Sequence, residues 1–163
     1  MQTQAEDVKN LSSSLQGFRV YQERNSLKGL SEYSRRDYYK ICLLAGTSTI
    51  HYADKSIFVE GYTLFFATPN IHYSWMVESK VNHSYSCLFT EEFFDNNESL
   101  QSLQESPFFK IGGTPVFKLD EKSYTYIKFV LIKMLEEQSS LYKYKDELIR
   151  SYLNMIIHEM HKQ

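Results

Sequence analysis

The side chains with chemistry to offer in this 163-residue chain are few: His51, His72, His83, His158, His161, Cys42, Cys87, and the carboxylate pairs Glu91-Glu92 and Glu136-Glu137. A mononuclear metal site in a small barrel needs His-x-His followed a few residues on by Glu, so that three or four ligands converge. His51, His72 and His83 each stand alone, and the carboxylates nearest His51 are Asp54, in a turn, and Glu60, at a strand end. No metal ligand set is expected. His158 and His161 are three apart near the end of a helix, where histidine complements the dipole more often than it binds metal.

Covalent catalysis has no better basis. The chain lacks Gly-x-Ser-x-Gly, a Cys-His-Asn signature and a phosphate-binding glycine loop, and Gly112-Gly113 leads into Thr114-Pro115 rather than into a helix. The carboxylate pairs read as solvated helix faces. The expectation is therefore a protein that is not an enzyme and needs no cofactor. Cys42 and Cys87 sit inside apolar runs without a Cys-x-x-Cys, as two buried thiols in a reducing compartment would. Eighteen basic against twenty acidic residues leave a net charge of -2, with no single-sign stretch to neutralise a phosphate backbone. The opening MQTQAEDVKNLSSSLQG has neither a basic nor an apolar leader region, and no run approaches a membrane span, so a cytoplasmic location is expected.

What remains is a cavity, and the elements that would build it. Short runs rich in Tyr, Phe, Ile and Val occupy 18–22, 38–45, 48–52, 56–59, 63–67, 71–77 and 84–90, with an eighth at 116–119, separated by turn residues in the manner of an antiparallel sandwich or barrel. An eight-stranded barrel has an interior just wide enough to be filled by side chains or to hold one small ligand. Candidates for that interior are Arg36 at the mouth of the second strand, Tyr39, His51, His72 or Tyr73, and Trp75. Arg36 would grip an anion or a hydroxyl, and Trp75 would supply a stacking face. Taken singly, each reads more readily as a surface ion pair or a core aromatic than as a ligand contact. A slip of one residue would exchange Tyr73 and Trp75 for His72, Ser74 and Met76.

The barrel (18–119), with a short helical insert near 91–106, follows a polar arm (1–17) and precedes a helical hairpin (120–163). Asp120 offers an N-cap ahead of Tyr124, Ile127, Leu131, Met134 and Leu135, spaced as one helix face. A second helix from about Tyr142 is apolar over more than one stripe. Either it is wholly buried in its own domain, or Leu148, Tyr152, Leu153, Ile156 and Met160 form a seam with a second copy of the chain.

The stretch RRDYYKICLLAGTSTIHYADKSIFVEGYTLFFATPNIHYSW, with HSYSCLFTEEFF, FKIGGTPVFKL and the ending FVLIKMLEEQSSLYKYKDELIRSYLNMIIHEMHK, resembles the N-terminal sensor domain of AraC-type bacterial transcriptional regulators over about residues 18–163. The resemblance implies a cupin-like antiparallel β-barrel followed by an α-helical hairpin. It further implies that the barrel binds a small effector, that the helices make a homodimer, and that DNA is read only through a separate helix-turn-helix domain absent from this chain. In sugar-responsive members an arm closes over the ligand and an arginine just before the second strand contacts it; Arg36 or Arg35 matches that position, and Pro69-Asn70-Ile71-His72 matches a Pro-x-x-His stretch. Two other readings stand beside this one: a metal-dependent cupin enzyme acting on a small acid or sugar, and a structural dimerisation module whose barrel takes no ligand.

Overall fold

The computed structural model describes residues 17–25, 38–69, 71–77, 82–93, 101, 104–107 and 115–162. Every run expected as a strand is one: β1 (Phe18–Asn25), β2 (Tyr39–Ala45), β3 (Ser48–Tyr52), β4 (Lys55–Val59), β5 (Tyr62–Ala67), β6 (Tyr73–Val77), β7 (Asn82–Phe89) and β8 (Val116–Leu119). A 3-10 turn at Glu91–Phe93 follows β7, and two helices close the chain, α1 (Glu121–Gln138) and α2 (Lys145–His161). The fold is thus mainly antiparallel β with two C-terminal helices.

The strands form two antiparallel sheets, one ordered β1-β7-β2-β5-β8 and one ordered β4-β3-β6. Tight turns set the pairing. Ala53 takes the left-handed conformation (φ 54) between β3 and β4, as a two-residue hairpin loop demands. Side chains alternate across the five-stranded sheet. Tyr39, Ile41, Leu43, Leu64, Phe66, Tyr85, Cys87 and Phe89 point to the layer occupied by α1 and α2, and together they make the larger core. Cys42, Leu44, Phe65 and Ala67 point the other way and meet Ile50, Tyr52, Val59 and Tyr73 of the three-stranded sheet. The molecule therefore has three layers: helices, five-stranded sheet, three-stranded sheet.

The Asp120 carboxylate caps α1, accepting the Ser123 N–H at 2.7 Å. The helix buries Tyr124, Ile127, Val130, Leu131 and Met134. At its far end the Gln138 amide acts as a strand partner for β1, accepting the Val20 N–H at 2.8 Å and donating to the Val20 carbonyl at 3.0 Å. That pair of hydrogen bonds blunts the edge of the sheet.

The second helix corrects one expectation. Leu153 and Ile156 (0% exposed) and Met160 (1%) lie inside the chain's own core, while Leu148 and Tyr152 are half-buried. Most of the apolar coverage of α2 is spent in the chain's own larger core, so these five residues do not form a face open to a second copy. Exposed large apolar side chains among the described residues include Tyr126 (37%) and Phe129 (58%) on the outer side of α1, Leu141, Tyr142 and Tyr144 between the helices, Met155 on α2 and Phe58 on β4.

Candidate functional site

The space between the two sheets is lined differently from the helix-facing core. On the inner side of β2 lie Lys40, Cys42 and Leu44; opposite them in register on β7 lie Leu88, Ser86 and Ser84, and on β5 Ala67, Phe65 and Thr63. The same strands that send Tyr39, Tyr85 and Phe89 toward the helices thus send serine, cysteine, alanine and lysine inward. Cysteine and alanine are ordinary core residues, but a fully buried lysine is not.

Lys40 is the most informative of these residues. It has no exposed surface, and its ammonium lies 5.8 Å from the centre of the Tyr73 ring. A lysine taken out of water loses several kcal/mol of hydration, on the order found for buried ions, and such a residue needs compensation from its surroundings. Two residues along β2, the Cys42 sulfur accepts a hydrogen bond from the Ser86 hydroxyl at 3.4 Å. Burial pushes the Cys42 thiol up, against the opposing pull of the Lys40 charge and the Ser86 hydroxyl. Tyr21 of β1 hydrogen-bonds Ser86 as well, and burial is the main cause holding its hydroxyl well above the usual phenol range. Across the interior, Phe65 is flanked edge-on by Tyr52 at 5.8 Å and by Tyr73 at 5.6 Å between ring centres. The interior thus mixes one cation, several hydroxyls and three aromatic rings, with Tyr73 beside both Lys40 and Phe65.

No protein-family model and no curated protein matches the sequence. Solved structures do match. Apo ToxT K231A from Vibrio cholerae strain SCE256 superposes with a TM-score of 0.61 at 14% identity, covering 91% of this chain and 57% of that one. ToxT from Vibrio cholerae O395 bound to (E)-4-(8-methylnaphthalen-1-yl)but-3-enoic acid gives 0.53 at 15% identity, with 90% and 57% covered. ToxT is an AraC-family regulator, and the likeness lies in its N-terminal domain. The fold is cupin-like. This chain spans a little over half the length of the ToxT chains it matches.

Of the residues singled out in sequence, Tyr73 lies fully buried in the cupin-like interior. Tyr39 does not: it faces the helices, stacked on Phe89 at 5.3 Å, with its hydroxyl donating to Glu91 at 3.5 Å. His51 is on the outer face of β3, where its Nδ1 lies 2.9 Å from the Ser56 hydroxyl, because Ile50 and Tyr52 take the inward positions. His72 precedes β6 and is exposed. Trp75 pairs Ile50 through the backbone, and its side chain, like all of Arg36, lies outside the described residues. Lys40, Phe65 and Ser86 were not singled out in sequence, and Cys42 was read there as a buried thiol and not as part of an interior site. Among the described residues no three His, Cys, Asp or Glu side chains converge as a metal-binding group, and no helix is long and apolar enough to cross a membrane.

Proposed function

We propose that this chain is the effector-sensing and dimerisation domain of an AraC-type regulator, and that its effector is a small amphiphilic carboxylate held inside the barrel. The observation that carries the reading is Lys40, fully buried on the inner wall between Leu88 and Ala67, with its ammonium 5.8 Å from the centre of the Tyr73 ring. In this reading a carboxylate at Lys40 forms a charge-assisted hydrogen bond, and an apolar or aromatic tail packs against Phe65, Tyr52 and Tyr73. That ToxT has been crystallised with an arylbutenoic acid supports the choice of ligand class.

In this reading the chain performs no reaction, needs no cofactor, works in the cytoplasm, and reaches DNA only through a separate domain. Self-association uses the outer face of α1 in place of α2. Lys122, Tyr126, Phe129, Lys133 and Glu136 follow one another at three- and four-residue spacing along that face. An antiparallel pairing about a two-fold axis at Phe129 sets Lys122 opposite Glu136 of the second copy at both ends, so the stripe is complementary to itself.

Isothermal titration of the chain with decanoate, 4-(1-naphthyl)butyrate and their methyl esters tests the reading. Saturable binding of the acids is expected, with the esters and the Lys40→Met protein binding at least about tenfold more weakly, as loss of a charged hydrogen bond predicts. Equal binding of acid and ester, or wild-type affinity in Lys40→Met, removes Lys40 from the site. A ligand recovered chemically altered after incubation with the protein returns the enzyme reading.

A further inference from the structure

The inner face of β1 adds a second cation to the wall that carries Lys40. Phe18 and Val20 belong to the helix-side core, so alternation turns Arg19, Tyr21 and Glu23 toward the space between the sheets. Register then fixes their neighbours. Arg19 of β1 and Lys40 of β2 pair with the same residue, Leu88 of β7, from its two sides. Their Cα atoms stand two strand spacings apart, about 10 Å, within the combined reach of two long side chains. Tyr21, Ser86 and Cys42 form the next row along the same wall.

Tyr21 gives Arg19 a fixed platform. Its hydroxyl is hydrogen-bonded to Ser86, which donates in turn to the Cys42 sulfur at 3.4 Å, so the ring is anchored to the sheet. The half-buried Arg19 lies over that ring, its guanidinium carbon 5.3 Å from the ring centre. A guanidinium stacked in this way keeps its N–H groups available at its edges. Lys40, by contrast, leans across to Tyr73 on the three-stranded sheet. The wall therefore offers a planar fork and a point charge on either side of Leu88. Glu23, two residues beyond Tyr21 on the same face, sets a negative charge about 13 Å from Arg19 along the strand and favours acidic groups at the Arg19 end. We infer that the polar end of the ligand is a dicarboxylate, with one carboxylate on Lys40 and the other on the Arg19 fork, and with the apolar tail leading toward Phe65, Tyr52 and Tyr73. Arg19 is then a specificity-determining contact, because its fork matches a second planar carboxylate that a simple fatty acid lacks. The inference deepens the sensing reading above and rests on it.

Isothermal titration of the full chain with decanoate and with 2-octylmalonate, which is decanoate bearing a second carboxylate at the same end, tests it. The malonate should bind wild type at least about tenfold more tightly, as the gain of charge-assisted hydrogen bonds predicts. Arg19→Gln should erase that preference, bringing the two ligands within about threefold of each other, and should leave decanoate within about threefold of its wild-type Kd. Arg19→Lys keeps the charge without the fork and should retain only part of the preference; it also serves as the second variant should Arg19→Gln fold poorly. Lys40→Met should weaken both ligands. Malonate binding no tighter than decanoate in wild type, or a preference that survives in Arg19→Gln, overturns the second carboxylate, while decanoate binding that depends on Lys40 leaves the sensing reading standing. If neither ligand binds, the sensing reading falls first and takes the dicarboxylate with it.

Discussion

At the scale of residues, Lys40 combines two opposed properties in the proposed site, since the charge offered to a carboxylate is itself costly to bury. Replacing a buried ion by an apolar side chain of similar length is often neutral or stabilising by about 1–4 kcal/mol. Lys40→Met should therefore match or exceed the wild-type melting temperature in the absence of ligand while losing the rise caused by decanoate; a fall of several degrees would mean that the ammonium holds the interior together by itself. Buried acids make a second prediction. Burial raises the Cys42 and Cys87 thiols and the Tyr21, Tyr39, Tyr52 and Tyr124 hydroxyls. In the unfolded chain thiols ionise near about 8.5 and phenols near about 10. Above those values the folded state binds more protons than the unfolded one, so stability is full below about pH 8.5 and declines as pH rises. Urea midpoints measured from pH 7 to 10.5 check this, and a flat profile would contradict it. Asp120 works in the opposite direction, since the Ser123 hydrogen bonds hold its carboxyl below the usual range; its contribution fades as pH falls through that depressed value. Why Lys40 escaped notice in the sequence is a matter of parity. With six of seven β2 positions buried, alternation distinguishes two faces but not which one meets the helices, and Tyr39, Ile41 and Leu43 are the larger, more apolar set. The lone charge in that run was the available signal.

At the scale of elements, the strands were legible because aromatic and β-branched runs end at turn residues every few positions, and α1 because Asp120 precedes a clean three-and-four spacing. The partner of α2 was not legible, since a wide apolar stripe looks the same whether a second copy or the chain's own sheet covers it. Two substitutions now separate those cases. Ile156→Glu places a charge in a fully enclosed position and should cost several kcal/mol, comparable with the ~5–15 kcal/mol that holds a domain folded, so its far-UV spectrum should be lost at ambient temperature. Phe129→Glu alters an exposed position; it should leave the melting curve within a few degrees and convert dimer to monomer in sedimentation velocity. An unchanged sedimentation coefficient for Phe129→Glu would remove the outer face of α1 from the interface. Gln138 shows the other limit of sequence reading. Its partner, Val20, lies 118 residues away. Gln138→Ala should lower stability by about 1–3 kcal/mol, from two hydrogen bonds at about 0.5–1.5 kcal/mol each, and should increase aggregation through the uncovered strand, measurable by light scattering.

At the scale of the whole molecule, the five-stranded sheet is a wall shared by two compartments, one of large aromatics and aliphatics under the helices, the other mixed in polarity between the sheets. The cupin-like fold follows from the number and order of the strands, and the solved structures agree with it at low sequence identity. The interior was not legible in the sequence, because Lys40 and Cys42 on β2, Phe65 on β5, Tyr73 on β6 and Ser86 on β7 are far apart in the chain and form no local motif. The clamp of Gln138 on Val20 also carries a consequence in time. On a ribosome adding about 5–20 residues per second, β1 emerges first and its outer edge waits for a side chain 118 residues later, a delay of about 6–24 s. Through that interval the earliest strand is open to strands of neighbouring nascent chains, so the yield of this protein should depend on how fast it is translated and on which chaperones meet it, rather than on the stability of the finished fold.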